Sequence, residues 1–292
     1  MQPEPSHPAV SLMTWYVQAG VDETIGEHAV DRYALQDSPG AAAQSSTDPA
    51  PPPSIPLRRD PAPPPSRPTV RPAMPPAAPS PATERAVSDA IHAVEDAASI
   101  DDIRAALEAF EGCALKRTAT NLVVERGSAQ ARIVLVGEAP GAEEDRRGLP
   151  FVGPSGQLLD RMLQSVGLDE RHVLITNTVF WRPPGNRPPS QAETAACQPF
   201  LRRLLELVDP EVVVALGGPA SQTLLGRTDG VTKLRGRWFP LQSLGLSRPA
   251  QATVTFHPAY LLRSPAQKRL AWRDILAIRR KLTELDAEQA DR

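Results

Sequence analysis

From Ile133 onward the chain repeats one pattern, a short and largely apolar run followed by a longer amphipathic segment. The runs are Ile133–Val136, Val173–Thr178, Val212–Leu216 and Ala252–Phe256, with helical periodicity between them at about Gly156–Val166, Gln191–Val208 and Pro219–Leu225. Runs that do not alternate read as strands buried on both faces, and a helix between each pair gives right-handed βαβ units. The prediction is a three-layer α/β/α sandwich around a four-stranded, mostly parallel sheet. Upstream, Ala86, Ala90, Ile91, Val94 and Ala98 form one helical stripe, and Ser99 with Asp102 opens a second helix, Ile103–Phe110, ended by Gly112. Ser190 with Glu193 makes a capping box, and Ser264, Pro265 and Gln267 open the last helix by the same logic. That helix sends Leu270, Ile275, Ile278 and Leu282 inward and its arginines outward.

Before this region the periodicity fails. Of 33 prolines in 292 residues, 19 fall within the first 81, so the chain divides into a leader (1–36), a Pro/Ala/Ser-rich linker expected to be disordered (37–82), a folded domain (83–285) and a tail (286–292). Around Leu12, Trp15, Tyr16 and Val17 the leader carries an apolar patch compatible with one or two helical turns over residues 9–20. That patch either docks, on the domain or on a partner, or fluctuates.

The formal charge of -2 conceals a division: residues 1–85 hold 9 acidic and 6 basic side chains, the remainder 25 and 26. Between Arg263 and Lys281 seven Lys or Arg residues accompany the single Asp274, which suits phosphate contact and equally an ordinary solvated helix. With only Cys113 and Cys197, a disulfide scaffold is excluded. The absence of a signal-like or membrane-length apolar run leads us to expect a cytoplasmic protein without membrane contact.

Chemistry gathers where the strands stop. They run into Gly137-Glu138-Ala139-Pro140-Gly141, Thr176-Asn177-Thr178, Gly217-Gly218-Pro219 and His257-Pro258-Ala259. In an open parallel sheet, ligands bind beyond these carboxyl ends. Each candidate has a plain structural alternative: Glu138 as an acceptor for loop amides, Asn177 as a bridge between strands, Phe151 as core. The glycines do not form a dinucleotide fingerprint, and no phosphate-binding GxxxxGK[ST] occurs.

These segments, with Pro150-Phe151-Val152-Gly153, Arg182-Pro183-Pro184-Gly185-Asn186-Arg187 and His257-Pro258-Ala259-Tyr260-Leu261-Leu262-Arg263, resemble the motif series of the type 4, iron-sulfur uracil-DNA glycosylases from about Gly112 to Lys281. The resemblance implies hydrolysis of the N-glycosidic bond of deoxyuridine in single- or double-stranded DNA, the first step of base excision repair. It implies catalytic roles for Glu138 and His257, uracil binding by Gly137, Gly141, Phe151 and Asn177, and DNA contacts from Arg182, Arg187, Tyr260, Leu261, Leu262 and Arg263. A monomer is expected. Flipping a base out of the duplex costs a few kcal/mol, and stacking on an aromatic ring returns roughly 1–3 kcal/mol. An amide held in one orientation matches uracil's O4 and N3–H and opposes cytosine's pattern.

The chain departs from that family at its cluster. Four cysteines are the family's ligands; Cys113 and Cys197 match two of them, while Phe110 and Trp181 stand at the other two positions. No cofactor is therefore expected, with Phe110 and Trp181 filling the vacated volume. Two other readings are a catalytically silent nucleic-acid-binding module of the same fold and a glycosylase for another deaminated base, such as hypoxanthine or xanthine.

Overall fold

The computed structural model describes residues 80–243 and 245–290, so the leader and nearly all of the proline-rich linker lie outside the described residues. Two helices, α1 (Pro81–Val94) and α2 (Ile100–Ala109), precede a short edge strand, β1 (Glu125–Gly127). Then come β2 (Ile133–Gly137), α3 (Ala142–Arg147), α4 (Pro154–Gln164), β3 (Val173–Asn177), α5 (Gln191–Val208), β4 (Val212–Leu216), α6 (Gly218–Leu225) and α7 (Val231–Leu234). The chain continues through β5 (Phe239–Leu241), β6 (Ala250–Thr255), α8 (Pro258–Arg263) and α9 (Lys268–Ala290).

The sheet runs β1-β3-β2-β4-β6-β5. Its four central strands are parallel, and β1 and β5 pair antiparallel at the two edges. The α/β/α class is as expected, whereas the sheet has six strands and not four. Each extra strand has only three residues, Glu-Arg-Gly and Phe-Pro-Leu, too short for a periodic signal.

Alternate side chains of the central strands enter opposite cores, which explains why β2 and β4 are apolar throughout. Val134, Val136, Leu174 and Val213 pack among Ile103, Leu107, Phe200 and Leu204 from α2 and α5. Ile133, Leu135, Ile175 and Val214 pack among Leu159, Leu163, Ile275 and Ile278 from α4 and α9. Three expectations need correction. Ile91 is exposed, because the stripe of α1 turns Ala90 and Val94 inward instead. Ser264 makes no side-chain cap, since a 3₁₀ turn, Pro265–Gln267, intervenes before α9. That helix also runs to Ala290, past the expected end of the domain at 285.

One buried polar group anchors the end of β6. Asp274 on α9 accepts from both guanidinium arms of Arg235, at 3.1 and 2.8 Å, and from the Thr255 hydroxyl at 2.8 Å. Its neighbour in the chain after Thr255 is Phe256, over which the Arg235 guanidinium lies at 5.5 Å. Removing one partner of a buried pair costs about 3–5 kcal/mol, because the other charge stays buried without compensation. We expect Asp274→Ala to lower the urea midpoint by a corresponding amount with an unchanged m value, as equilibrium unfolding measures.

Candidate active site

The connections from β2 to β3 and from β4 to β6 proceed in opposite directions along the sheet, so strand order reverses between β2 and β4. A crevice opens at such a reversal, beyond the carboxyl ends. Gly137, the last residue of β2, pairs in register with Asn177, the last of β3. His257 follows the end of β6 by two residues and caps α8. The shared register therefore delivers Glu138, Asn177 and His257 to one cavity of about 450 Å³, lined also by Phe151 from the connection between α3 and α4 and by Gly141, Arg187, Tyr260 and Arg263.

Phe151 has a left-handed backbone, φ 54°. A bulky side chain there stores about 1–3 kcal/mol of strain and persists only where its surroundings over-determine it. Gly156 permits one constraint: a Cβ on it would lie 1.7 Å from the Phe151 carbonyl oxygen. Gly137 permits another, since its Cβ would come within 2.4 Å of Asn177 Oδ1 and 2.6 Å of Phe151 Cζ. Phe151 is both core and cavity wall, packed with the Leu159 and Ile175 cluster and 5.6 Å from the His257 ring between centroids.

The amide of Ala259 donates to His257 Nδ1 at 3.2 Å. Nδ1 is thus an acceptor, the ring proton of the neutral imidazole sits on Nε2, and Nε2–H remains for a ligand. Burial, reinforced by the Arg263 cation and opposed by Glu144, brings the His257 pKa down to about 4. Burial alone raises that of Glu138, whose carboxylate has no hydrogen-bond partner among the described residues. A neutral donor and a basic carboxylate therefore face the same space.

Of the expected DNA contacts, Tyr260 and Arg263 line the cavity and are exposed, and Leu262 is exposed beside them in the chain. Leu261 is not: it is fully buried and packs with Phe256 and Ala271, because the single turn of α8 directs it inward while its neighbours face out. Arg187 lines the cavity but forks onto Glu193 at 2.9 and 2.6 Å, and Arg182 donates to Asn186 Oδ1 at 2.7 Å, so both arginines shape their own loop. The arginine pair at Glu193 holds that carboxyl down at about 2.

Glu144 was not legible as a site residue. It is buried, and its carboxylate accepts the N–H of Gly141 at 3.1 Å, of Val152 at 3.0 Å and of Gly153 at 2.9 Å. The available signal was Gly141-x-x-Glu144, half of a capping box whose cap is a glycine and so has no side chain to complete it.

The four positions that align with the cluster ligands of the resembled family are all buried in one apolar cluster. Cys113 and Cys197 bring their sulfurs to 4.0 Å, and the Phe110 ring packs at 5.1 Å from that of Phe200. Gly112 lets Phe110 fold back, since a Cβ there would meet the ring at 2.4 Å. The hydrogen bond between the thiols and their burial push the Cys197 thiol well above its usual range. Two thiols, a phenyl ring and an indole do not match the four thiolates of ordinary Cys₄ ligation. Among the described residues no other group of three or more His, Cys, Asp or Glu is placed to hold a metal ion.

Residues 124–276 match the model of the uracil DNA glycosylase superfamily. The chain is 43% identical over 166 residues to a type-4 uracil-DNA glycosylase of Thermotoga maritima, covering 56% of this chain and 84% of that protein. It is 39% identical over 171 residues to the type-4 enzyme of Archaeoglobus fulgidus, covering 57% and 85%. Similarity to a type-5 uracil-DNA glycosylase of Pyrobaculum aerophilum is 38% over 114 residues, 34% of this chain and 50% of that protein.

The strain at Phe151 yields a direct expectation. Phe151→Ala and Phe151→Gly both remove the ring, but glycine adopts φ 54° without penalty. Thermal and urea unfolding should show the glycine variant to be the more stable by about 1 kcal/mol, the reverse of the usual order.

Proposed function

The chain belongs to the uracil DNA glycosylase superfamily, and from that premise we propose how its cavity hydrolyses the N-glycosidic bond of deoxyuridine in DNA. The protein is a DNA glycosylase, and its product is free uracil, with an abasic site left for repair. The observation that carries the mechanism is the neutral His257, whose Nδ1 is already occupied, standing across one cavity from Phe151, Asn177 and Glu138.

A uracil flipped from the duplex stacks on Phe151, returning part of the unstacking cost. The Asn177 amide accepts from uracil N3–H and donates to O4. Cytosine offers the opposite pair and leaves these polar groups unsatisfied. As the bond from C1′ to N1 breaks, its electron pair leaves with the base and spreads onto O2, where His257 Nε2–H donates. Glu138 holds a water against C1′ and takes its proton as the C–O bond forms; the departing base then takes a proton at N1 from solvent, to which Glu138 returns its own. Arg263 and Tyr260 line the cavity and, with the exposed Leu262, offer contacts to the flanking DNA. Arg182 and Arg187, committed to Asn186 and Glu193, contribute chiefly by shaping the loop.

The same reading holds that no iron-sulfur cluster is bound, and that Phe110 and Trp181 join α2 to the Arg182 loop by apolar burial. Its support is the burial of both rings within the cluster that contains Cys113 and Cys197. Protein purified anaerobically should contain no stoichiometric iron and show no four-iron absorption band, and either signal would sink the idea.

Purified protein incubated with single-stranded and duplex oligonucleotides carrying uracil, hypoxanthine or a normal base, followed by alkali, should give strand scission at uracil. DNA binding without release would favour the silent module. His257→Ala should lower kcat by about 10²–10³ with little change in binding, the usual loss for an oxyanion-hole donor. Because the folded pKa of His257 is about 4 against an ordinary 6.5, its imidazole remains the neutral donor as pH falls through 6 and 5. In Glu138→Gln, the remaining acid limb of kcat/KM should thus lie near pH 4. Over the same window the unfolded chain binds the proton that the native state refuses, so the His257 contribution makes stability fall as pH drops below 6.5.

A further inference from the structure

We propose that Glu144 is a positioning residue whose carboxylate ties the Gly137–Gly141 loop to the Phe151–Gly153 loop and so keeps Phe151 in its strained stacking geometry. The proposal deepens the glycosylase reading and rests on it for its effect on turnover.

Gly141 and Gly153 are the N-cap residues of α3 and α4, so the three N–H groups bound by Glu144 belong to two helix starts. Amides at helix starts lack partners within the helix, and an acceptor that serves both starts fixes their separation. Oε2 takes Gly141 while Oε1 is shared by Val152 and Gly153, leaving neither oxygen idle. The carboxylate is buried, so water is poorly placed to replace it. Gly141 suits this approach, because a Cβ there would come within 2.7 Å of Oε2, and a Cβ at Gly153 would sit tightly at 3.2 Å from Oε1.

The location gives the clamp its function. Val152 and Gly153 directly follow Phe151, at φ 54°, and a left-handed Phe relaxes unless the chain beside it is held. Its carbonyl lies against Gly156, and its continuation is pinned by Glu144. The other end of the clamp holds Gly141, three residues beyond Glu138. Ring and water-binding carboxylate are thereby set at one distance. A helix cap with no role beyond stability would be indifferent to whether residue 151 carries a ring, and that difference supplies the test.

Glu144→Gln replaces one acceptor oxygen with an NH₂ group that opposes an N–H donor, so one loop must detach. On the uracil oligonucleotide, kcat/KM should fall roughly ten- to a hundredfold for Glu144→Gln in the wild-type background. It should fall less than about threefold in a Phe151→Ala background, because the ring through which the clamp acts is gone. Amide hydrogen exchange at Val152 and Gly153 should accelerate at least about tenfold in Glu144→Gln, with β3 amides unchanged. Equal losses in both backgrounds, or unaltered exchange at the two amides, overturn the proposal. Should Glu144→Gln fail to fold, Glu144→Asp, which keeps the charge but is one methylene too short to reach both loops, takes its place in both measurements. Wild-type protein that released no uracil would overturn the glycosylase mechanism, whereas the exchange measurement would still decide the clamp.

Discussion

Four parallel strands that share a register and are buried on both faces end at one level, and Glu138, Asn177 and His257 inherit their positions from that constraint. Gly137 and Asn177 are register partners across β2 and β3, and Leu216 and Thr255 pair across β4 and β6. Moving one strand by a residue would turn its whole apolar set to the opposite face, so packing of two cores enforces the alignment. The polar network of Asp274, Arg235 and Thr255 holds the last of these ends where His257 begins. Burial that secures the strands also desolvates what lies just past them, which is why His257 is neutral and the Glu138 carboxyl is more basic than usual.

At the far end of β3 a second dependence appears. Trp181 is buried in the cluster of Phe110, Cys113 and Cys197, and the residues that follow it, Pro183, Asn186, Arg187 and Pro188, line the cavity. A loop leading into the pocket is thus anchored by hydrocarbon packing and by its own arginine pairs. Such an anchor is distributed over several contacts, in contrast to one that depends on a single bound group. Truncating a buried aromatic costs about 3–5 kcal/mol, so the ring at Trp181 represents a large share of local order.

What was legible in the sequence was what repeats or caps locally. Continuous apolar runs revealed the four central strands, and Ser190 with Glu193 marked the first turn of α5, where both halves of the capping box form. The edge strands escaped because three residues carry no period, and Leu261 was misplaced because a six-residue helix offers too few turns to tell its inner face. Motif residues were visible by type and order, but their state was not. That His257 is neutral depends on burial and on Arg263, and that Phe151 is strained depends on backbone conformation, neither of which a string of letters contains. Glu144 escaped for a related reason: its partners are main-chain amides, two of them eight and nine residues away, and amides have no identity to read.

A neutral imidazole is the form this cavity selects, and it serves the chemistry. In the intact nucleoside, O2 is an ordinary carbonyl oxygen, and its hydrogen bond from Nε2–H is an ordinary one. That bond strengthens as negative charge accumulates on the departing base, so its contribution falls chiefly on the transition state. The cavity enforces that choice twice, through desolvation of the ring and through the nearby Arg263, while the Glu144 charge opposes it less strongly. Both oxygens of Glu144 are occupied by three N–H groups, which spreads its charge over the two loops. The pocket can accordingly hold a carboxylate for architecture beside a histidine for catalysis without turning that histidine into a cation.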